Sequence, residues 1–328
     1  MRNGVAFLVC VCSLALTVHG GDPISATNYR ELQVERSFDP GLDYFNVYFL
    51  SDEEIAVSGL GRYIIWELTS LSEPPQQTEE GNGEIVGLSP DRSRFALFTP
   101  SREVEIWSTH PRERQSTIGQ LTSMTWTHTA FAPDGDAFAV VNRWNEVDLW
   151  DLGAVEHLGV LKGLQSNVFD LAFSPDGRLL AGGGGKSSRD DQGVSLVCVW
   201  DILTGELIAS LPTDDLGDNH AITFTQDGTC LVSAGIFRIL AWDTSTWDRV
   251  YDSGPSHPGS YGMALSSDGS LLALAGDRRS VLLVGVEPLM RVWSLPTGRE
   301  VLDVDFSPNG QRLAAACPGG SLKIWTVP

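Results

Sequence analysis

The sequence predicts an all-β fold, a seven-bladed β-propeller of four-stranded antiparallel blades, closed by an N-terminal strand that pairs into the last blade. Three observations carry this expectation: a hairpin signal that recurs seven times, a strand-ending Trp that recurs with it, and a spare strand at the start of the chain matching a missing one at its end.

The hairpin signal reads Phe49-Leu-Ser-Asp52, Leu88-Ser-Pro-Asp91, Phe131-Ala-Pro-Asp-Gly135, Phe173-Ser-Pro-Asp-Gly177, Phe224-Thr-Gln-Asp-Gly228, Leu265-Ser-Ser-Asp-Gly269 and Phe306-Ser-Pro-Asn-Gly310. Each follows an alternating apolar segment and precedes another, so Asp-Gly supplies the positive φ that closes a β-hairpin. A third strand ends about fifteen residues later, at Trp66, Trp107, Trp150, Trp200, Trp242 and Trp325. A period near forty residues marks a propeller of stacked repeats. Blade six has no Trp at this place. Counting on from Gly269 lands on Val284, within Ser280-Val-Leu-Leu-Val284, so Val284 takes the Trp position and Leu289–Trp293 becomes the outer strand of that blade.

One four-stranded sheet cannot cover both its faces, so neighbouring sheets pack radially around an axis. Blade seven runs out of chain three residues past Trp325, before a fourth strand. Residues 30–38, and within them Glu31–Ser37, have strand alternation and lead into the first inner strand, so they are expected to complete blade seven. Such closure removes two edges that would otherwise invite aggregation.

These residues resemble the WD-repeat family over nearly the whole chain from about residue 30 onward. Trp-Asp stands at Trp150-Asp151, Trp200-Asp201 and Trp242-Asp243, whereas the other blades read Trp66-Glu67, Trp107-Ser108, Val284-Gly285 and Trp325-Thr326. The chain contains no Gly-His pair; Gly163-Leu164 stands where one is expected in blade four. The repeats are therefore divergent, and exported bacterial propellers have similar hairpins. The resemblance implies a rigid platform that binds proteins or peptides and carries no catalytic residue.

Composition narrows the partners. The chain has 22 basic and 42 acidic residues, a net charge of -20, with Lys162, Lys186 and Lys323 its three lysines. Nucleic-acid affinity needs clustered cations that displace counterions, and no segment supplies such a stripe, so a nucleic-acid partner is not expected. Arg2 followed by the apolar run Val5–Val18 reads as a signal peptide over residues 1–20, leaving one domain over 21–328. The expectation is export to the periplasm or the extracellular space, with an uncleaved N-terminal anchor as the alternative, and a monomer without a membrane span after cleavage. Cys198, Cys230 and Cys317 would remain, an odd number in apolar strand contexts, read as buried small hydrophobes.

No metal or cofactor is expected, because no metal-ligand spacing or nucleophile motif occurs. Gly182–Lys186 looks like a phosphate loop, but Leu180 stands where its first Gly is required and no apolar helix follows, so a surface loop is expected. That loop and the one after blade four place Asp190, Asp191, Asp214, Asp215 and Asp218 as an acidic rim suited to a basic partner. The residue four before each recurrent Phe or Leu opens an inner strand on the same face. Those residues are Phe45, Glu84, Thr127, Phe169, His220, Tyr261 and Leu302, with Trp144 nearby on a loop between second and third strands. Aromatic groups around a rim are what a partner surface needs, since they dominate interface energetics. The alternatives are a lactonase- or lyase-like propeller enzyme with its site at the central channel, for which the expected mouth offers only His220 and Glu84, or a small-ligand or metal sensor.

Overall fold

The computed structural model describes residues 23–38, 46–68, 75–120, 128–142, 144, 146–164, 167–185, 196–213, 219–235, 238–254, 260–276, 279–287 and 289–326. They form seven four-stranded antiparallel sheets. From blade one to blade seven the inner strands are Asn46–Phe49, Glu84–Leu88, Thr129–Phe131, Asn167–Phe173, Asn219–Phe224, Ser260–Leu265 and Asp303–Phe306. Among the described residues there is no α-helix, only a 3-10 turn at Tyr29–Glu31.

The hairpins form for a local reason. In blade four the Ser174 hydroxyl donates to Asp176 while the Leu179 amide donates back to that hydroxyl, so three neighbouring polar groups satisfy one another. Ser89 with Asp91, Thr225 with Asp227, Ser266 with Asp268 and Ser307 with Asn309 repeat the arrangement. The next residue needs positive φ, which Gly177, Gly228, Gly269 and Gly310 adopt at about 70°. Blade two departs from this: Arg92 holds φ 61° at that place and sends its side chain to the axis.

The strand-ending residue has a structural signature. Between third and outer strands the register shifts beside Trp66, Trp107, Trp150, Trp200, Trp242 and, in blade six, Val284. The same bulge at Val284 places that residue in the Trp position, and the outer strand of blade six is Met290–Pro296. Where Asp follows Trp, its carboxylate caps the next turn: Asp151 accepts from the Ala154 amide, Asp201 from Thr204 and Asp243 from Ser245 and Thr246. The indole of the fully buried Trp200 donates to the Lys162 carbonyl at 2.7 Å, so a backbone group just before Gly163 satisfies it without a histidine.

The ring closes as expected, with a shifted boundary. Gln33–Phe38 pairs antiparallel with Ser321–Thr326, two residues later than the expected start at Glu31, because Tyr29–Glu31 is taken into the 3-10 turn. Here too the outer strand bulges opposite Trp325, and the extra residue is Glu35. The bulge turns Glu35 inward: its side chain is 2% exposed and accepts from Arg312 Nε at 2.8 Å. Arg312 also donates to the Asp52 carbonyl of blade one at 2.6 Å, and Asp52 accepts from the Asn309 amide of blade seven. Apolar packing completes the seam. Val47, Phe49, Ile55 and Val57 of blade one bury against Ala314, Ala316, Leu322 and Ile324 of blade seven.

A further anchor precedes the closing strand. Ile24 is fully buried among side chains of blades six and seven, and its amide donates to the Gly310 carbonyl at 2.7 Å. Residues 1–20, where the signal peptide is expected, lie outside the described residues. Among the described residues no helix is long and apolar enough to cross a membrane. Cys198, Cys230 and Cys317 are free thiols in the second or third strands of their blades, and burial raises the thiol pKa of Cys198 and Cys317 to about 11.

Candidate functional site

In a blade of antiparallel strands the outer-to-inner connections and the second-to-third loops emerge on one face, and the Asp-Gly hairpins on the other. The inner strands start at the loop-bearing face and run along an axial channel of about 470 Å³. Glu84, His128, Phe169, Tyr261 and Leu302 stand around its mouth. Tyr48, Asp170 and Asp303 line it further in, and Pro90, Arg92 and Asp305 line its hairpin end.

The carboxylates of this channel stitch neighbouring blades together. Asp170 of blade four accepts from the Ile222 amide of blade five at 2.8 Å and from the Leu171 amide at 2.9 Å. Asp303 of blade seven accepts from the Val47 amide of blade one at 3.0 Å, and Asp305 from the Phe49 amide at 2.8 Å. Inner strands of neighbouring blades are not paired edge to edge, so these acceptors satisfy amides that a ladder would otherwise satisfy. Thr129 does the reverse job, donating to the Val86 carbonyl of blade two at 2.7 Å.

Protein surrounds these groups even though Asp170 and Asp303 keep a little surface turned into the channel. Burial raises the Asp170 pKa to about 7 against the lowering pull of its two amide donors. Burial, with the nearby charges of Asp305 and Asp170, raises Asp303 to about 8 despite the Val47 amide. The Tyr48 phenol is raised well above its ordinary value by burial and by the same acids. Arg92 binds Asp305 in a bidentate pair, 2.6 Å from Nη1 to Oδ2 and 3.0 Å from Nη2 to Oδ1. Burial opposes the guanidinium charge, but Asp305 overcomes it and raises the Arg92 pKa. The channel therefore holds one tight ion pair and two carboxyls that burial makes harder to ionise.

Of the rim residues expected from the sequence, the structure gathers four, Glu84, Phe169, Tyr261 and Leu302, around one opening. Tyr261 is 40% exposed, and Trp144, on the second-to-third loop of blade three, is 68% exposed. Phe169 meets the His128 ring edge-on at 6.4 Å between centroids. Glu84 has a structural engagement: its carboxylate accepts from the Gly61 amide of blade one at 2.7 Å. His220 lies in the inner strand of blade five, at the register shift between Asn219 and Ala221. Phe45, Thr127, Asp190, Asp191, Asp214, Asp215 and Asp218 lie outside the described residues, so the acidic rim does too.

The expectation that the mouth offers only His220 and Glu84 needs correction, because His128 lines the same channel as Glu84 and Asp170. Sequence reasoning missed His128 by one position. The positions three and one before the recurrent Phe or Leu, which include His128, Asp170, Asp303, Tyr48 and Asp305, are the ones that carry the channel's polar groups. Among the described residues no group of three or more His, Cys, Asp or Glu is arranged to hold a metal.

Comparison with known proteins agrees with this geometry. The repeat described as "WD domain, G-beta repeat" matches residues 155–192, from the third blade's outer strand into the fourth blade, and 289–326, from the sixth blade's outer strand to the end of the seventh. Two stretches of the ring thus resemble the WD repeat. The chain is similar to transcription initiation factor TFIID subunit 5 of Caenorhabditis elegans, 23% identical over 207 residues that cover 62% of this chain and 30% of that protein. It is also similar to an uncharacterised WD repeat-containing protein of Synechocystis sp., 24% identical over 157 residues covering 46% of this chain and 40% of the relative. The chain thus spans less than half the length of either of these relatives.

Proposed function

We propose that this WD-repeat propeller is a non-catalytic platform that holds a protein or peptide partner on its loop-bearing face, over the channel mouth. One observation carries the reading: Phe169, Tyr261 and Leu302, from three different blades, converge with Glu84 on one opening while hydrogen bonds between blades fix the strands that bear them. A surface held in place this way loses little conformational freedom on binding. The name of the Caenorhabditis elegans relative, a subunit, fits a protein that works by assembly. The acidic rim expected at Asp190, Asp191, Asp214, Asp215 and Asp218 would favour a basic partner at blades four and five. We propose further that the chain is exported through residues 1–20, to the periplasm or outside the cell, and acts as a monomer, since blade seven is completed from within one chain.

Comparative affinity capture from the native envelope or secreted fraction tests this reading. A partner recovered by the native protein and by Leu203→Ala, a hairpin-face control, is expected to be lost from Trp144→Ala/Tyr261→Ala. Equal recovery by all three proteins sinks it.

A second reading places an enzyme or small-ligand sensor in the channel, and the shared lining of His128, Glu84 and Asp170 favours it. The committed hydrogen bonds of Glu84, Asp170 and Asp303 weigh against it. A turnover abolished by His128→Ala in a protein of unchanged melting temperature would decide for the second reading.

A further inference from the structure

On the loop-bearing face, away from the channel mouth, blades six and seven enclose an open bowl lined by Arg279, Gly298, Arg299, Glu300, Pro318 and Gly319. Its two arginines stand without a carboxylate partner among the described residues. Among the described residues, Arg62, Arg92, Arg112, Arg114, Arg178, Arg238 and Arg312 each have a carboxylate within 4 Å, as expected where acids outnumber bases. Arg279 and Arg299 have none, a state they share with Arg30, Arg94, Arg102 and Lys323, but these two line one bowl together, and Glu300 forms no ion pair with them. Lys323 donates instead to the Pro296 carbonyl at 3.4 Å. Against the larger raising effect of its burial, Lys323 and Arg299 both lower the pKa of the Cys317 thiol.

The bowl is also built rather than frayed. Arg299 Nη1 donates to the Pro318 carbonyl at 3.0 Å. Gly319, at φ 76°, leaves the space the guanidinium occupies: a Cβ there would come 2.5 Å from Arg299 Nη1. Arg279 sits at φ 58°, and its carbonyl accepts from the Thr297 and Gly298 amides, tying its loop to the connection that carries Arg299. Two guanidinium forks held on fixed loops suit planar oxyanions, above all carboxylates. The remaining negative charge of the molecule acts weakly here, since charges beyond about 8 Å are screened at physiological salt.

We propose that the bowl at Arg279 and Arg299 binds the carboxylate groups of an acidic ligand, at a point separate from the channel mouth. The carboxylates have two sources, the acidic side chains of a peptide segment or a free small diacid, and the test separates them. The full chain is titrated calorimetrically with N-acetyl-hexaglutamate amide and with glutarate. Saturable binding of at least one is expected, weakened at least tenfold by Arg279→Gln/Arg299→Gln. Tighter binding of the hexapeptide identifies a peptide ligand, and equal or tighter binding of glutarate a small diacid. Gly319→Ala keeps every charge but displaces Arg299, and is expected to weaken binding too. Thermal melts establish that each variant is folded. The double variant Trp144→Ala/Tyr261→Ala should bind like the native chain, so failure of the channel-mouth reading leaves this test intact. No saturable binding at millimolar ligand, or a loss smaller than tenfold in the double arginine variant, overturns the proposal.

Discussion

Replacing Arg312 by Met tests how the ring is held shut. Arg312 is the partner that the bulged Glu35 finds inside the seam, and it bridges to blade one through the Asp52 carbonyl. Removing it leaves a carboxylate of 2% exposure with Arg36 Nε at 3.4 Å as its remaining ion partner among the described residues. Breaking a buried pair by deleting one member costs about 3–5 kcal/mol. The lower end applies, because the Arg312 side chain keeps 21% exposure and Arg36 stays in place. Unfolding entropy near 2.1 cal/mol/K per residue over roughly 300 residues makes each kcal/mol worth about 1.6 °C, so Arg312→Met should lower Tm by about 5 °C. Glu35→Met/Arg312→Met removes the stranded carboxylate and should recover part of that loss, the remainder reflecting the buried Arg36, which gives up Glu35 as its neighbour. Scanning calorimetry on the three proteins decides. If Arg312→Met melts within 1 °C of the native chain, or the double variant melts no higher than the single one, the seam is not held as described.

Other predictions follow from the same geometry. Asp170 and Asp303 have folded pKa values of about 7 and 8, above the unfolded carboxylate value, so the folded state holds extra protons between pH 4 and 8. Stability should therefore fall as pH rises through that window, by on the order of 1.4 kcal/mol per pH unit for each group while it remains protonated only in the fold. Urea melts from pH 5.5 to 8.5 should show this fall, and Asp303→Asn should flatten it; an unchanged slope in the variant refutes the assignment. Val155 holds φ 53° in the turn after Asp151, a strained place for a β-branched residue, so Val155→Gly should stabilise the protein by about 1 kcal/mol in a urea melt, and a destabilisation contradicts the strain. Trp200→Phe should cost about 2–4 kcal/mol, from the lost Lys162 hydrogen bond plus the space vacated in the blade three–four core, and a cost below 1 kcal/mol would mean that the bond is dispensable.

What was legible in the sequence was what is local in the chain. The hairpin signal is a Phe or Leu with an Asp or Asn three residues later and, in five of seven copies, a Gly after that, so its seven copies can be counted without coordinates, and the count forces both the substitution of Val284 for Trp and the search for a closing strand. Channel chemistry was hidden because its partners are remote. Asp170 meets an amide 52 residues away and Asp303 one 256 residues away. Glu35 read as one residue of an alternating strand, and only the bulge opposite Trp325 turns it into the seam. Ile24 stands in a short stretch of small and polar residues with no period to mark it, yet it packs among side chains of blades six and seven. His128 escapes a rim drawn through the positions four before the recurrent Phe or Leu, because the channel's polar groups stand three and one before them.

Hydrogen exchange on the propeller with and without its captured partner bears most directly on the platform reading. Slowed exchange is expected at the loop-face ends of the inner strands, around Glu84, Phe169, Tyr261 and Leu302, and on the loop carrying Trp144. Slowing confined to the Asp-Gly hairpins or to the outer strands would contradict it.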